Sequence, residues 1–509
     1  MTAVANRYVV ILDGTSGLDA NVLGGKAWSI ERMRALGMPV PPAFVLTTEV
    51  CRQYYANDRN VPNAVADALP AAVAELERAT GRQFGRGEQP LLLSVRSGAA
   101  VSMPGMMDTI LNLGLNDVSE LSLASHTGDA SFARDTRRRF DQQFEHVVGV
   151  RPPNDPWQQL RQAIDSVFES WTGRRAVEYR EARGISDDGG TAVTIQAMVF
   201  GNLDDLSGTG VLFSRNPLTG IAEPYGEWLV RGQGEDVVSG RIDACPIEQL
   251  AVNLPEVYRE LMAKAAVLER DRRDVQDIEF TVESGRLWML QSRNAKRSPE
   301  AVVRHAVQLQ YDGLISPGEA LDRVAPEQVE SLVTRHVDFG AAGAVAAIAN
   351  GKPACPGIAV GVVMTDVAEA ERRADAGEAV ILARPTTDPD DVATMASAVA
   401  VLTELGGSTS HAAVVCRELG VPCVVGCGEQ TVTQLVGQTV TVDAAAGIVY
   451  PGALPVTAVS ERDDPDLSQL LSWAKVDMPV AEELSLAELL RRRSHRLHGS
   501  ARQQAQNPR

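Results

Sequence analysis

The sequence predicts a multidomain α/β protein, on three observations. Its 509 residues are enough for roughly two to four domains. Residues 351–450 alternate short apolar strands with helical stretches over about 100 residues, a common domain size. Residues 1–300 hold a separate series of strands and helices that closes on a long hairpin. With 44% hydrophobic and 22% charged residues, the composition is that of an ordinary globular chain with several cores. Lys and Arg total 48 against 66 Asp and Glu, a net charge of −18. That balance lacks the basic footprint of a nucleic-acid binder, yet leaves room for a local cationic pocket.

Taken in order, residues 8–12 read as a strand. Gly24-Gly25-Lys26 then opens a helix with Ala27, Ile30, Met33 and Leu36 apolar, closed by Gly37. Pro39, Pro41 and Pro42 lead into a strand at 43–46. A lysine at a glycine-rich turn can contact a phosphate, but the four-residue spacer of a P-loop is absent, so a solvated lysine is the default. Residues 61–79 look like a surface helix. The apolar strand 91–99 carries Arg96, which needs an anionic partner if it is buried. The loop 102–109, with Met103, Met106 and Met107, reads equally as a ligand cover or as a methionine-lined core. Residues 131–183 are helical, with Phe132, Phe140, Phe144, Trp157, Phe168, Trp171 and Tyr179 as core. Strands at 191–200 and 208–217 precede a polar glycine-rich turn at 232–236.

In the hairpin 277–291, strand alternation puts Asp277, Glu279 and Thr281 on one face, with Gln291 and Arg293 across from them. Carboxylates and an amide on one face suit Mg²⁺ and its phosphates; a solvated polar face is the bland alternative. Residues 298–350 read as a helical, alanine-rich connector. Strands are expected at 358–364, 379–383, 399–403, 421–425, 439–443 and 447–450, and helices at 366–376 and 411–419. Residues 456–509 read as a polar, partly disordered tail with room for a helix near 480–493, and Arg491-Arg492-Arg493 as a solvated face. The six cysteines (51, 245, 355, 416, 423 and 427) are expected to be buried and reduced, without a metal set. No leader pattern and no membrane-length apolar run is present, so a cytoplasmic location is expected.

The stretch Gly406-Gly407-Ser408-Thr409-Ser410-His411 organises the rest. The apolar spacing at 412, 415, 416 and 419, stopped by Gly420 and Pro422, makes His411 the first turn of a helix, beside hydroxyls that can cap it. Such a turn attracts anions, and a neutral imidazole is a nucleophile. His411 therefore reads either as a phosphoryl carrier or as a capping histidine.

Together these pieces resemble the pyruvate phosphate dikinase family. The likeness is carried in order by Gly24-Gly25-Lys26, Ser94 to Ala99, Ser102 to Thr109, Gly208 to Pro217, Tyr225-Gly226-Glu227 and Gln233 to Val238. Gln276 to Phe280, Leu290 to Asn294 and Gly406 to Ala413 complete it, over about residues 8 to 455. The resemblance implies an ATP-grasp nucleotide-binding domain at 1–300, a helical linker at 301–350 and a swivelling α/β phosphohistidine domain at 351–455. It implies that Lys26, Arg96 and Arg293 hold the phosphates of ATP, the substrate. Asp277, Glu279 and Gln291 would arrange phosphate and the cofactor Mg²⁺, with Glu279 and Gln291 as metal ligands, and the 196–199 backbone would meet adenine. His411 would attack the β-phosphoryl group and release AMP. Inorganic phosphate would then leave as pyrophosphate, and phospho-His411 would supply pyruvate to make phosphoenolpyruvate.

Departures accompany the resemblance. Ser408 stands where relatives usually carry Met or Arg, Leu405 where a basic residue is common, and the helical part around 115–190 is short. Thr409 matches by position a regulatory threonine of plant relatives. Only 59 residues follow Tyr450, against the ~200 that the family's pyruvate-binding barrel needs, so a separate barrel-bearing partner is expected. No nucleic-acid or membrane partner is expected, and a homodimer stays open. A pyruvate, water dikinase is the alternative enzyme, favoured by Arg417 to Pro422. A nucleotide-binding regulator without catalysis is the non-enzyme alternative.

Overall fold

The computed structural model describes residues 5–101, 103, 107–238, 244–333, 336–337, 345–457, 461–462, 464–479 and 484–505. Of the methionine loop, residues 102 and 104–106 lie outside these. Two five-stranded antiparallel sheets build the first half. One orders its strands Val9–Ile11, Ala43–Leu46, Ala192–Ala197, Leu93–Gly98 and Thr109–Leu113. The other runs Cys245–Pro246, Tyr225–Val230, Gly208–Phe213, Gln276–Glu283 and Arg286–Asn294.

Alternation decides which face each sheet buries. Val95, Val193 and Ile195 turn into a core with Val65, Leu69 and Val73 of the helix Asn63–Thr80 and with Phe140, Phe144 and Phe168. The helix expected to be surface-like at 61–79 thus buries one apolar stripe. The helical stretch at 131–183 is three helices, Ala130–Val148, Pro156–Ser170 and Arg174–Arg183. A second core joins the two sheets through the helix Ala20–Ala35: Leu23, Ala27, Ile30 and Met33 meet Ile278, Phe280, Leu287 and Met289. The polar turn expected at 232–236 is instead closed by a one-turn helix, Gly234–Val238.

A third sheet of eight strands forms the later domain. Its parallel centre is Ile358–Met364, Val380–Arg384, Ala400–Thr403 and Cys423–Val425. Thr439–Asp443, Ile448–Pro451 and Ala349–Asn350 extend one side and Lys352–Cys355 the other, all antiparallel. Helices Val367–Asp375 and His411–Leu419 stand where expected; Val392–Ser397 is a further helix that the sequence reading lacked. Cys355, Cys416, Cys423 and Cys427 are buried free thiols here, whereas Cys245 is exposed, against the expectation for it.

The expected tail at 456–509 is corrected. Residues Pro465–Asp477 and Leu486–Ala505 are helices. They bury Leu467, Leu470, Leu486 and Leu490 against Val303, Val307 and Leu321 of the connector helices Pro299–Tyr311 and Pro317–Asp322. Connector and tail therefore form one helical unit. Of the arginine run, Arg491 and Arg492 lie on an exposed face as expected, whereas Arg493 does not. Arg493 is buried and pairs with Asp322 at 3.1 Å, with Asp477, and with the carbonyl of Gly318 at 3.1 Å. Arg491 reaches Glu330 at 2.7 Å. Sparse apolar residues at helical spacing, separated by charges, hid this face because its complement lies some 150 residues earlier in the chain. Among the described residues no helix is long and apolar enough to cross a membrane. Leu470→Ala should cost this unit about 2–5 kcal/mol, the range for emptying a buried leucine site, read as a lowered urea midpoint; a disordered tail would show no change.

Candidate functional site

The charged site forms where the first two sheets face each other. Gly24 has φ +75°, and a Cβ there would lie 1.9 Å from the carbonyl oxygen of Gly98. Gly25 N–H donates to the carbonyl of Ala99 at 2.9 Å. The helix starts at Ala20, earlier than expected, and the glycine pair forms a kink inside it; this kink presses onto the end of the strand Leu93–Gly98 and sets Lys26 near Arg96. Arg96 Nη2 reaches Glu279 Oε2 across the sheets at 3.3 Å. On the hairpin, Glu279 pairs in register with Gln291, and Asp277 with Arg293. Arg293 Nε donates to Asp277 Oδ2 at 2.8 Å. Lys26, Arg96, Asp277, Glu279, Gln291 and Arg293, distant in sequence, therefore share one site.

Its electrostatics follow from crowding. Burial, then the charge of Arg96, brings Lys26 down to about 7; Glu279 opposes the fall and Arg293 adds to it. Burial pushes the Glu279 carboxyl up, but Arg96, Arg293 and Lys26 together hold it below its ordinary value. Asp277 is the main cause that raises Arg293, against burial. Three polar atoms remain buried without a partner: Arg96 Nε, Asp277 Oδ1 and Gln291 Oε1. The two oxygens, with Glu279 between them in the hairpin, are the hard donors that Mg²⁺ takes. Among the described residues no group of three or more His, Cys, Asp and Glu is arranged for a metal. The set therefore fits Mg²⁺ only when phosphate oxygens complete the coordination, as is usual for that ion.

A cleft of ≈ 300 Å³ opens further along the same strands, lined by Pro41, Ala197, Met198, Val199, Glu283 and Trp288. Glu283 lies on the face of Glu279, four residues on, or about 13 Å at strand rise. The expected adenine-contacting residues 197–199 thus border this cleft, whereas the Gln196 side chain donates to the carbonyl of Pro41 at 3.2 Å.

His411 begins the helix His411–Leu419. The expected hydroxyl cap is absent: Ser410 makes no capping bond and its Oγ is unpartnered. The other two hydroxyls turn to the second sheet instead. Glu227, buried on the strand Tyr225–Val230, accepts from Ser408 N–H and Oγ at 3.2 Å each, and from Thr409 Oγ1. Tyr225 Oη meets Ser408 Oγ at 2.5 Å. A Cβ on Gly407 would lie 2.4 Å from Glu227 Oε1, so any larger residue there would have to displace this carboxylate from its present place. Thr409 is only 3% exposed, so modifying it requires the two domains to part.

The imidazole faces Thr387 Oγ1 through Nδ1 at 3.3 Å, while Nε2 is buried and unpartnered. Burial lowers the His411 pKa, against the fields of Asp388 and Asp391. The Thr387 hydroxyl can serve either tautomer; in the one with the proton on Nδ1, that N–H donates to Thr387 and the Nε2 lone pair is free. Tyr225 and Glu227 stood in the sequence reading only as part of the motif Tyr225-Gly226-Glu227, without a role, and Thr387 had no part in it. A lone glutamate in the otherwise uncharged strand Tyr225–Val230 was a further signal for Glu227.

Comparison with known proteins bears on both halves of this arrangement. A family model described as pyruvate phosphate dikinase, AMP/ATP-binding domain matches residues 57–249, and one described as PEP-utilising enzyme, mobile domain matches 376–447. The pyruvate, phosphate dikinase of Clostridium symbiosum is 39% identical over 89% of this chain and 59% of its own length. That of Rhizobium meliloti is 39% identical over 90% and 59%. The chloroplastic pyruvate, phosphate dikinase 1 of Arabidopsis thaliana is 39% identical over 91% and 54%. The chain spans between 54% and 59% of the length of these relatives. With a nucleotide-binding domain and a mobile domain matched in order, and this identity along nine-tenths of its residues, the chain belongs to the pyruvate phosphate dikinase family.

Proposed function

We propose that this protein carries out the ATP-handling steps of a pyruvate, phosphate dikinase, with His411 as the phosphoryl carrier. One observation carries the reading. A neutral, unpartnered Nε2 is held at a helix start that Glu227 of the nucleotide-binding half clasps. Adenine would occupy the cleft beside residues 197–199, and the phosphates would lie along the hairpin face toward Glu279. Lys26, Arg96 and Arg293 would neutralise them and orient the β-phosphorus. Asp277, Glu279 and Gln291 would hold Mg²⁺, which supplies further charge neutralisation when bound. Phosphoryl transfer asks for positioning and charge compensation above all, and the site is built from those two elements.

In the first step the Nε2 lone pair attacks the β-phosphorus and the bond to the AMP oxygen breaks, leaving a pyrophosphoryl group on His411 and AMP. An oxygen of inorganic phosphate then attacks the terminal phosphorus, and pyrophosphate departs from phospho-His411. With the ring proton on Nδ1, Thr387 Oγ1 accepts a hydrogen bond from it and the Nε2 lone pair is left to react. Asp388 and Asp391 stabilise the positive charge that the ring gains. The phosphoryl group would then pass to pyruvate at a barrel-bearing unit, reached by swinging of the mobile domain. A cytoplasmic location, where ATP is supplied, belongs to the same reading. ATP labelled at the β position tests it: label on the protein, with AMP, and with pyrophosphate only when phosphate is present, is the expected result. Release of the terminal group as phosphate without added phosphate would favour a pyruvate, water dikinase instead. No label would leave a nucleotide-binding regulator.

His411→Ala should abolish labelling while ATP affinity stays within about twofold, since the nucleotide residues lie on the other domain. Glu279→Gln should slow labelling of an intact His411 by roughly a hundredfold, the scale for loss of one transition-state contact. Lys26 supplies a pH signature. Its pKa near 7 in the free protein should rise once phosphate anions replace the surrounding cations as its dominant neighbours. Between pH 7 and the ordinary lysine value, ATP binding should then take up a proton, and affinity should fall as pH rises. Calorimetry at pH 8 in buffers of different protonation enthalpy should show up to about one proton more for the wild type than for Lys26→Met.

A further inference from the structure

The helix that begins with His411 carries Glu418 seven residues later. Seven residues are close to two full turns, so the two side chains leave the same helix face. Glu418 is 8% exposed and its Oε1 collects three donors from the nucleotide-binding half. Tyr179 Oη donates at 2.8 Å, Arg183 Nη1 at 2.9 Å, and Lys296 Nζ lies at 3.5 Å. Tyr179 and Arg183 stand four apart on the helix Arg174–Arg183, with the guanidinium 5.1 Å from the tyrosine ring centroid. Lys296 follows Arg293 by three residues, just past the hairpin of the charged site. The helix is also tied to the loop before it. The buried Arg417 donates from Nη1 to the carbonyls of Ser408 and Ala354, at 2.8 and 3.0 Å. Glu227 thus grips the start of this piece and Glu418 its end, with His411 between the two grips.

We propose that Glu418 is a positioning residue: its carboxylate, seated on Tyr179, Arg183 and Lys296, aligns the His411 face of the helix with the ATP site for phosphoryl transfer. Glu227 holds the loop at the start of the helix, and Arg417 lies over the Phe213 ring, its guanidinium 5.5 Å from the centroid. The Glu418 contact, about 10 Å along the axis from the helix start at 1.5 Å rise per residue, adds a directional ion pair that limits pivoting of the helix. The charge is held at the domain boundary by cations that belong to one partner only, so it acts in the docked arrangement and is released to water when the domains separate.

The inference rests on His411 being the carrier, and the full chain separates the two claims. A carbodiimide joins a carboxylate to an amine in direct contact, so the wild type should yield a Lys296–Glu418 amide, detected by peptide mass spectrometry. Glu418→Gln should slow single-turnover labelling of His411 from β-labelled ATP by about tenfold or more, with ATP affinity within about twofold. Phosphoramidate, a small donor that needs no docking, should phosphorylate His411 in both proteins at the same rate. Arg183→Glu should slow ATP-driven labelling likewise, and Glu418→Arg with Arg183→Glu should restore part of it. ATP-driven labelling of Glu418→Gln at the wild-type rate, or an equal loss with phosphoramidate, would overturn the positioning role. The Lys296–Glu418 amide in a wild type that ATP does not label would leave the contact standing and sink the carrier reading instead.

Discussion

Three cations crowded between two sheets cannot remain there on their own. Lys26, Arg96 and Arg293 come from three distant segments, and each is drawn out of water by the packing of the first two sheets. Glu279 and Asp277, with a smaller contribution from Glu418 to Arg293, keep the cluster together without a ligand, and they do so incompletely: Lys26 gives up much of its hold on its proton. The cluster is thus a site whose charge balance improves when a polyanion enters. Much of the surrounding architecture serves this condition. The glycine pair at 24 and 25 allows the approach of Lys26, the hairpin register pairs acid with base, and the shared face of the strand Gln276–Glu283 leads from the charges to the apolar cleft. In a chain of net charge −18, three cations meet at this one site, which favours binding a phosphate chain over binding an extended nucleic-acid surface.

His411 sits on another domain, and apart from Val392, which packs against Ala99, Met103, Trp171 and Ala176, the docking between the two domains is built on polar contacts. Glu227 and Glu418 are carboxylates nearly cut off from solvent, each satisfied by partners from across the boundary. Such contacts are geometrically demanding, and on separation water replaces them at little net loss. An apolar boundary of equal extent would hold the domains together more permanently. A polar one suits the proposed swinging of the domain, in which the same histidine is presented to two places. It also explains why the hydroxyls of Ser408 and Thr409, which look like helix caps in the sequence, are spent on the neighbouring domain.

Much was legible in the sequence because it is local or periodic. Strand alternation placed Asp277, Glu279, Gln291 and Arg293 on one face, and the structure's register agrees residue for residue. The six strands read in the later domain are present within about two residues, since buried parallel strands are short apolar runs bounded by turns. What failed was whatever depended on a distant complement. The helices Pro465–Asp477 and Leu486–Ala505 look polar until Val303, Val307 and Leu321 are set beside them. Arg493 looks solvated until Asp322 and Asp477 arrive, and Ser410 looks like a cap until its neighbours turn to Glu227.

By itself the sequence determined the inventory and its local geometry: an α/β chain, a histidine at a helix start, a lysine after two glycines, an acidic hairpin face. These follow from the few dihedral choices of each short segment and from the two side-chain periods of helix and strand. Only the tertiary structure decided that Lys26 and Arg96 stand over that hairpin, and that the buried acid at 227 holds the histidine loop. It likewise decided that the last helices complete the core of the connector. Each of these is a meeting of segments far apart in the chain, settled by which apolar faces pack together and which buried charges find a partner. No periodicity within one segment can encode such a choice.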